Sequence, residues 1–356
     1  MEKLTVALKE RAYPIYIGRG LVDQAGPYMA RILGTCAVAV VTDDNVALLY
    51  LRRVEESLAA AGFRCVSIVL PHGEKTKCMD SLSRLYAFFA EHHITRRDAV
   101  LALGGGVMGD LAGLAAATWL RGVRYVQLPT TLLAQVDSSV GGKVAVDLPQ
   151  GKNLMGAFWQ PSLVLVDPDT LSTLTDRTWR DGLGEVVKYG AGFDAPLFQL
   201  LEQTAPGGRA ALMAHIDDIL LRCIRIKADI VANDERDTGL RMLLNFGHTM
   251  GHAVETVQGY NGLSHGEAVA AGMAAISRIA VEKGLTEPAA LARLIALQEA
   301  LGLPTELPDL PEEGLLAAMG QDKKNMGKEL TVVLMRDIGA CYGHRTDVGF
   351  FEIRNA

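Results

Sequence analysis

From residue 37 onward, short apolar runs alternate with stretches of helical period. Residues 37–41 (AVAVV) read as a strand that ends in Thr42-Asp43-Asp44. Residues 45–61 then space their apolar positions as a helix does and stop at Gly62, a helix terminator. The same alternation continues with strands predicted at 65–70, 98–103, 124–128 and 163–166 and helices at 81–92 and 111–118. Strands separated by helices imply crossover units and a parallel sheet, whose ligands bind at the carboxyl ends of the strands. Those ends carry Asp43, Asp44, Gly104, Gly105, Gly106, Thr130 and Thr131. After about Asp167 the pattern changes to long helical stretches at 217–232, 247–257, 267–283 and 288–301. The expected architecture is an α/β domain over 1–167 and a mainly α-helical domain over 168–356, with the site in the cleft between them. A late β-like run at 331–335 has no predicted partner.

The composition fits this picture. Of 356 residues 49% are hydrophobic and 21% charged, which excludes a disordered chain. Five cysteines, an odd number with no C-x-x-C, argue against a disulfide scaffold and for a reducing compartment. No apolar stretch reaches the ~18 residues of a membrane span, and the N-terminus has no apolar signal region, so a cytoplasmic protein without membrane contact is expected. A net charge of -6 disfavours a nucleic-acid partner. Glycine is the outlier at 37 residues, about a tenth of the chain against the usual ~7%.

The candidate chemistry gathers in four places. Gly104, Gly106 and Gly109 form G-x-G-x-x-G between a predicted strand and helix, the context in which backbone N–H groups meet a pyrophosphate. A ligand-free glycine turn is the plain alternative. The acid expected ~20 residues later is missing, and the available acids, Asp43, Asp44 and Glu74, lie upstream, so the usual strand order is not expected. His248 and His252 stand at i, i+4 on one helical face, His265 opens another helix, and Glu185 supplies a carboxylate. Two His and one Glu with an open position is a catalytic zinc set; Thr249 stands where a zinc protease needs its Glu. Taken singly, each of these histidines reads as structural. Lys143, after Gly141 and Gly142, reads as an anion-gripping loop residue. Lys152, Lys188, Lys227, Arg241 and Lys324 sit among small or apolar neighbours, with a solvated surface as their default.

Three blocks carry a resemblance: Leu128 through Lys143, Gly151 through Phe158, and Asn245 through Ala253. They look like those of the 3-dehydroquinate synthase family of sugar phosphate cyclases, and the match runs from about Thr42 to Lys324. The resemblance implies a Rossmann-like NAD-binding domain, a mainly helical metal- and substrate-binding domain, one tightly held NAD, one zinc or cobalt ion and a homodimer. Carried over, the metal ligands are Glu185, His248 and His265. NAD is expected around Asp44, Glu74, Lys77, Gly105, Gly106, Asp110, Thr130, Thr131, Lys143, Lys152, Thr170, Leu171 and Thr173. Asp137, Lys143, Lys188, Lys227 and His252 take catalytic roles, with Asn153, Arg241, Asn245 and Lys324 on the substrate and Arg121 reaching a neighbouring subunit's site. The sequence departs from the family after Lys143, reading Val144-Ala145-Val146-Asp147 where Thr-Gly-Ile-Asn is frequent.

The implied substrate is a heptulosonate phosphate, whose two anionic groups call for local cations on an acidic protein. The family's reaction oxidises a hydroxyl by NAD, eliminates phosphate, returns the hydride and closes the ring by an aldol step to 3-dehydroquinate, in the shikimate pathway. Three alternatives stay open: another sugar-phosphate cyclase, a metal-dependent polyol dehydrogenase that releases NADH, and an inactive relative that only binds.

Overall fold

The computed structural model describes residues 1–321 and 330–351, and the chain divides into two compact units. One holds Met1–Leu174 with Lys227–Arg236; the other holds Thr175–Ile226 with Asp237–Ala356. The division thus falls at Leu174 rather than at 167, and the end of the helix predicted over 217–232 groups with the first unit.

In the first unit the elements run β1 (Glu2–Val6), β2 (Tyr13–Ile17), α1 (Ala25–Leu33), β3 (Ala37–Asp43), α2 (Asp44–Val46), α3 (Arg52–Ala60), β4 (Arg64–Leu70), α4 (Met79–Glu91), β5 (Ala99–Gly104), α5 (Gly106–Thr118), β6 (Arg124–Pro129), β7 (Lys143–Leu148), β8 (Gly151–Phe158) and β9 (Leu163–Val166). Seven strands form one sheet in the order β1-β2-β9-β6-β5-β3-β4, parallel except for the β1–β2 pair. Strands buried on both faces must be apolar throughout, which is why 37–41 and 98–103 read as unbroken runs. Alternate residues divide between two cores: Ala39, Val41, Val100 and Ala102 pack with α4 and α5, whereas Val38, Val40, Leu101 and Leu103 pack with α1 and α3. β7 and β8 form a separate antiparallel hairpin.

The second unit contains α6 (Asp176–Phe193), α7 (Ala195–Thr204), α8 (Gly208–Ala214), α10 (His248–Val257), α11 (His265–Glu282), α12 (Pro288–Ala300) and α13 (Glu312–Gln321), with α9 (Ile216–Asn233) running to the boundary. The late apolar run becomes β10 (Leu330–Asp337), paired antiparallel with β11 (Ala340–Thr346).

Glycines set the closest helix approaches of this unit. A Cβ on Gly184 of α6 would lie 2.2 Å from the Gly266 carbonyl oxygen of α11, and one on Gly266 would lie 1.7 Å from the Asp181 carbonyl oxygen. Gly247 has φ +81, and a Cβ there would lie 2.6 Å from the Val269 carbonyl oxygen. These contacts draw α6, α10 and α11 together with no side chain between their backbones.

Gly184→Ala should therefore push α6 from α11 and destabilise the protein by about 1–3 kcal/mol, the usual cost of overpacking. Gly314→Ala, whose Cβ meets nothing closer than 3.6 Å, serves as the control. Thermal melts compare the two; equal midpoints would show that the helices separate without cost.

Candidate functional site

Two residue sets emerge, one in each unit. In the first, β3 and β5 are neighbours, yet the chain passes from β3 to β4 on one side before entering β5 on the other. This reversal makes the carboxyl ends of β3 and β5 the topological switch point, where open α/β sheets bind ligands. It also explains the upstream acid: Asp44 follows the strand beside the glycine turn. Asp43 caps the short helix through Asn45 and Val46 N–H groups, while Asp44 Oδ1 accepts from His72 N at 2.9 Å and lies 2.7 Å from His72 Nδ1. Gly105 precedes α5 and Gly106 opens it, earlier than the helix start at 111 that the periodicity predicts. A Cβ on Gly105 would lie 3.0 Å from Thr131 Cγ2, and one on Gly106 would lie 3.1 Å from Ser138 Oγ. The Thr130 N–H donates to the Gly104 carbonyl at 2.9 Å.

Beside this turn a lysine is enclosed by acceptors. Lys77, 5% exposed, lies 2.5 Å from Asp110 Oδ2 and donates to Asn153 Oδ1 at 2.5 Å. Burial alone would depress its pKa, but Asp110 and Glu74 outweigh that and hold it above the ordinary lysine value. Glu74 also pairs with Lys152 at 3.4 Å. Asn153 holds a left-handed backbone, φ 57, and its N–H donates to Asp147 Oδ1 at 2.8 Å. Asp147 thus ties down the hairpin turn at Asn153.

Lys227 donates to the Asp137 carbonyl at 2.7 Å and pairs with Asp137 Oδ2 at 2.8 Å, joining two residues remote in sequence. Thr170 and Leu171 are buried, and Thr173 Oγ1 lies 2.7 Å from Tyr50 Oη. A cavity of about 200 Å³ borders this segment, lined by Tyr50, Arg53, Asp167, Thr170 and Thr173 among others. Lys143 is exposed at the head of β7, and Arg121 is exposed in a left-handed turn, φ 67, at the end of α5's connection to β6. Sequence reasoning missed Gln135, fully buried, whose Nε2 donates to the Pro129 and Asp167 carbonyls and to Thr170 Oγ1. Its contacts span 35 positions, so no local pattern marks it.

The second unit brings Glu185, His248 and His265 together. Glu185 is fully buried on α6, and both histidine Nε2 atoms lie 3.3 Å from its Oε1. Neither carboxylate oxygen has a hydrogen bond of good geometry among the described residues, although Lys188 Nζ and the two imidazoles crowd them. Donors converging without bonding one another are what a cation requires. A tetrahedral ion with ~2.0–2.1 Å bonds sets its ligand atoms roughly 3.3–3.4 Å apart, which both histidine–carboxylate separations match. The outer ring nitrogens are occupied: His248 Nδ1 faces the Phe246 carbonyl and His265 Nδ1 faces Glu255 Oε2, each at 3.2 Å. That arrangement leaves Nε2 as the ligating atom. The residues therefore fit a divalent metal.

Burial would raise the Glu185 pKa, but Lys188 and His248 outweigh it and hold the carboxyl well below its usual range. Burial lowers His248. His265 loses solvent too, yet Glu185 and Glu255 push it up to about 10.

His252, one turn beyond His248, is exposed, its ring centroid 5.2 Å from that of His248 and 5.8 Å from that of His265. Arg241 and Lys188 are buried, whereas Asn245 is exposed. Lys324 lies outside the described residues.

The fold belongs to the sugar phosphate cyclases: 2-epi-5-epi-valiolone synthase from Streptomyces hygroscopicus, solved with NAD+ and Zn2+ bound, superposes at a TM-score of 0.87 with 29% identity, over 95% of this chain and 94% of that one. A 2-deoxy-scyllo-inosose synthase complexed with carbaglucose-6-phosphate, NAD+ and Co2+ shares the fold at a TM-score of 0.88 and 23% identity, over 98% of both chains. Residues 67–181 match the profile "3-dehydroquinate synthase N-terminal" and residues 182–325 match "3-dehydroquinate synthase C-terminal". A 3-dehydroquinate synthase of Clostridium beijerinckii is 45% identical over 352 residues, 99% of this chain and all of that protein. The chain belongs to the 3-dehydroquinate synthase family.

Added zinc or cobalt should raise the melting temperature, because a ligand at 100–1,000 times its Kd stabilises by about 2.7–4.1 kcal/mol. His248→Ala should show no such rise and no stoichiometric metal by atomic absorption. A full equivalent retained by that variant would remove His248 from the metal site.

Proposed function

We propose that this chain is a 3-dehydroquinate synthase, a lyase converting 3-deoxy-D-arabino-heptulosonate 7-phosphate to 3-dehydroquinate and phosphate. The observation that carries the reading is the buried Glu185, whose carboxylate oxygens have two histidines converging on them and no hydrogen bond of good geometry. When bound, NAD takes up and returns a hydride, and a zinc or cobalt ion polarises a substrate oxygen. In this reading residues 1–167 bind NAD and 168–356 hold metal and substrate, apart from the small exchange of segments noted above. Glu185, His248 and His265 would hold the ion. Asp44, Glu74, Lys77, Gly105, Gly106, Asp110, Thr130, Thr131, Lys143, Lys152, Thr170, Leu171 and Thr173 would hold the nucleotide.

The chain's own side chains then position and neutralise. Lys143, Lys188, Lys227, Arg241 and Lys324 answer the substrate's carboxylate and phosphate, and Asn153 and Asn245 answer its hydroxyls. Asp137 holds the Lys227 ammonium in place, and the imidazole of His252 serves proton transfer. Lys188 and Lys227 stand against carboxylates, those of Glu185 and Asp137, which supports a built cationic site for an anionic substrate on a chain of net charge -6. We further infer a cytoplasmic homodimer. The five cysteines form no disulfide, and no helix among the described residues is long and apolar enough to cross a membrane. The exposed Arg121 and its left-handed turn, which includes Leu120 at φ 50, support a role toward a second subunit.

With the heptulosonate phosphate, catalytic NAD and metal, phosphate should appear while absorbance from NADH stays flat. NADH rising in step with turnover would instead identify a dehydrogenase of the same fold.

Arg121 is tested by mixing. Arg121→Ala and His248→Ala homodimers should each be inactive, and co-refolding the two should restore activity, because one mixed site combines an intact metal set with the partner's arginine. No recovery would confine Arg121 to its own chain.

A further inference from the structure

We propose that Glu255 is a positioning residue for the metal centre, fixing His265 so that Nε2 points to the ion. The inference rests on Glu185, His248 and His265 sharing a metal and extends that reading to a residue outside the ligand set. Glu255 lies on α10, one helical turn after His252, and is 5% exposed. Its Oε2 is 3.2 Å from His265 Nδ1, while His265 Nε2 faces Glu185 Oε1 at 3.3 Å on the opposite edge of the ring. The imidazole is thus clamped between two carboxylates. A proton on Nδ1 satisfies Glu255 and leaves the Nε2 lone pair available for ligation.

The two histidine ligands differ in this respect. His248 turns Nδ1 to a neutral backbone carbonyl, that of Phe246. His265 turns it to a buried carboxylate, which makes the imidazole a stronger donor and sets its ring plane. Both histidines open a helix, His248 at the first position of α10 and His265 at the first position of α11, so neither has a preceding helical turn packed against it. His265 needs the clamp more because it is less enclosed: its side chain is 30% exposed against 12% for His248.

His252, Glu255 and His265 form a second set of three donors within 4.8 Å of one another. Because its shared member already turns its other nitrogen toward Glu185, this set is read as support for the first centre.

Glu255→Gln keeps the shape and removes the charge. It should weaken zinc binding by roughly 10–100-fold in a chelator competition, the usual effect of losing such a partner, while one ion per chain still binds at saturation. The cobalt-loaded variant should show a shifted visible absorption spectrum, and Glu255→Asp should recover part of the affinity. A folded Glu255→Gln with zinc affinity within twofold of the parent and an unchanged cobalt spectrum would reduce Glu255 to a packing role. Two ions in the parent and one in the variant would make it a direct ligand, overturning the proposal the other way. If His248→Ala also bound zinc normally, the metal centre itself would be lost, which separates that failure from this one.

Discussion

A fully buried carboxylate organises the second unit. Removing a charged carboxylate from water costs several kcal/mol even after relaxation, so Glu185 must be answered by cations at close range. Lys188, one turn along the same helix, supplies one positive charge. The histidines come from two other helices, and their approach needs bare backbones. Gly184 against Gly266 brings α6 to α11, and Gly247 against Val269 brings α10 to α11. The helix packing that looks like ordinary glycine-mediated contact is therefore the means by which Glu185, His248 and His265 reach one point. A side chain at any of these glycines would force the helices, and with them the three residues, apart.

The first unit solves a different problem. Its sheet is an apolar wall covered on both faces, and polar residues concentrate where the strands end. The reversal of strand order beside β3 opens the crevice there, so the glycine turn after β5 and the acid after β3 become neighbours although 60 residues of sequence separate Asp44 from Gly104. The residues proposed to hold the nucleotide span strand ends, the β7–β8 hairpin and the segment after β9, so such a site would depend on the whole sheet.

Much of this was legible in the sequence, for stateable reasons. Strands buried on both faces leave continuous apolar runs, and long amphipathic helices leave a clear period, so β3, β5, β6 and α9 to α12 were foreseen. His248 stood out by its i, i+4 spacing to His252, and His265 by its position at a helix start. The ligand helix α6 was harder, because Gly182, Gly184, Gly190 and Gly192 weaken the helical signature that tertiary packing then overrides. β2 escaped because Pro14 interrupts its alternation, although Tyr13, Ile15 and Ile17 are its buried face. Lys143 read as a loop residue, whereas it begins β7. The pairing of Lys227 with Asp137 and the clamp of Glu255 on His265 depend on tertiary register, which no window of sequence contains.

The charge pattern resolves how an acidic chain can serve a substrate with two anionic groups. Lys77 stands against Asp110, Lys152 against Glu74, Lys188 against Glu185 and Lys227 against Asp137. A lysine buried alone would shed its proton, since low polarity disfavours the charged form. The carboxylate prevents that, and it holds the ammonium in one place, so little reorganisation is left for the moment when an anion arrives. The arrangement also limits how strongly the resting protein attracts anions in general, because each pair is nearly neutral at a distance. Attraction becomes strong only for a ligand able to approach the ammonium groups within hydrogen-bonding range, where the dipole of each pair is felt. Under the proposed function, selectivity for phosphate-bearing ligands over bulk anions would follow from the placement of the pairs, with the net charge of the chain playing little part.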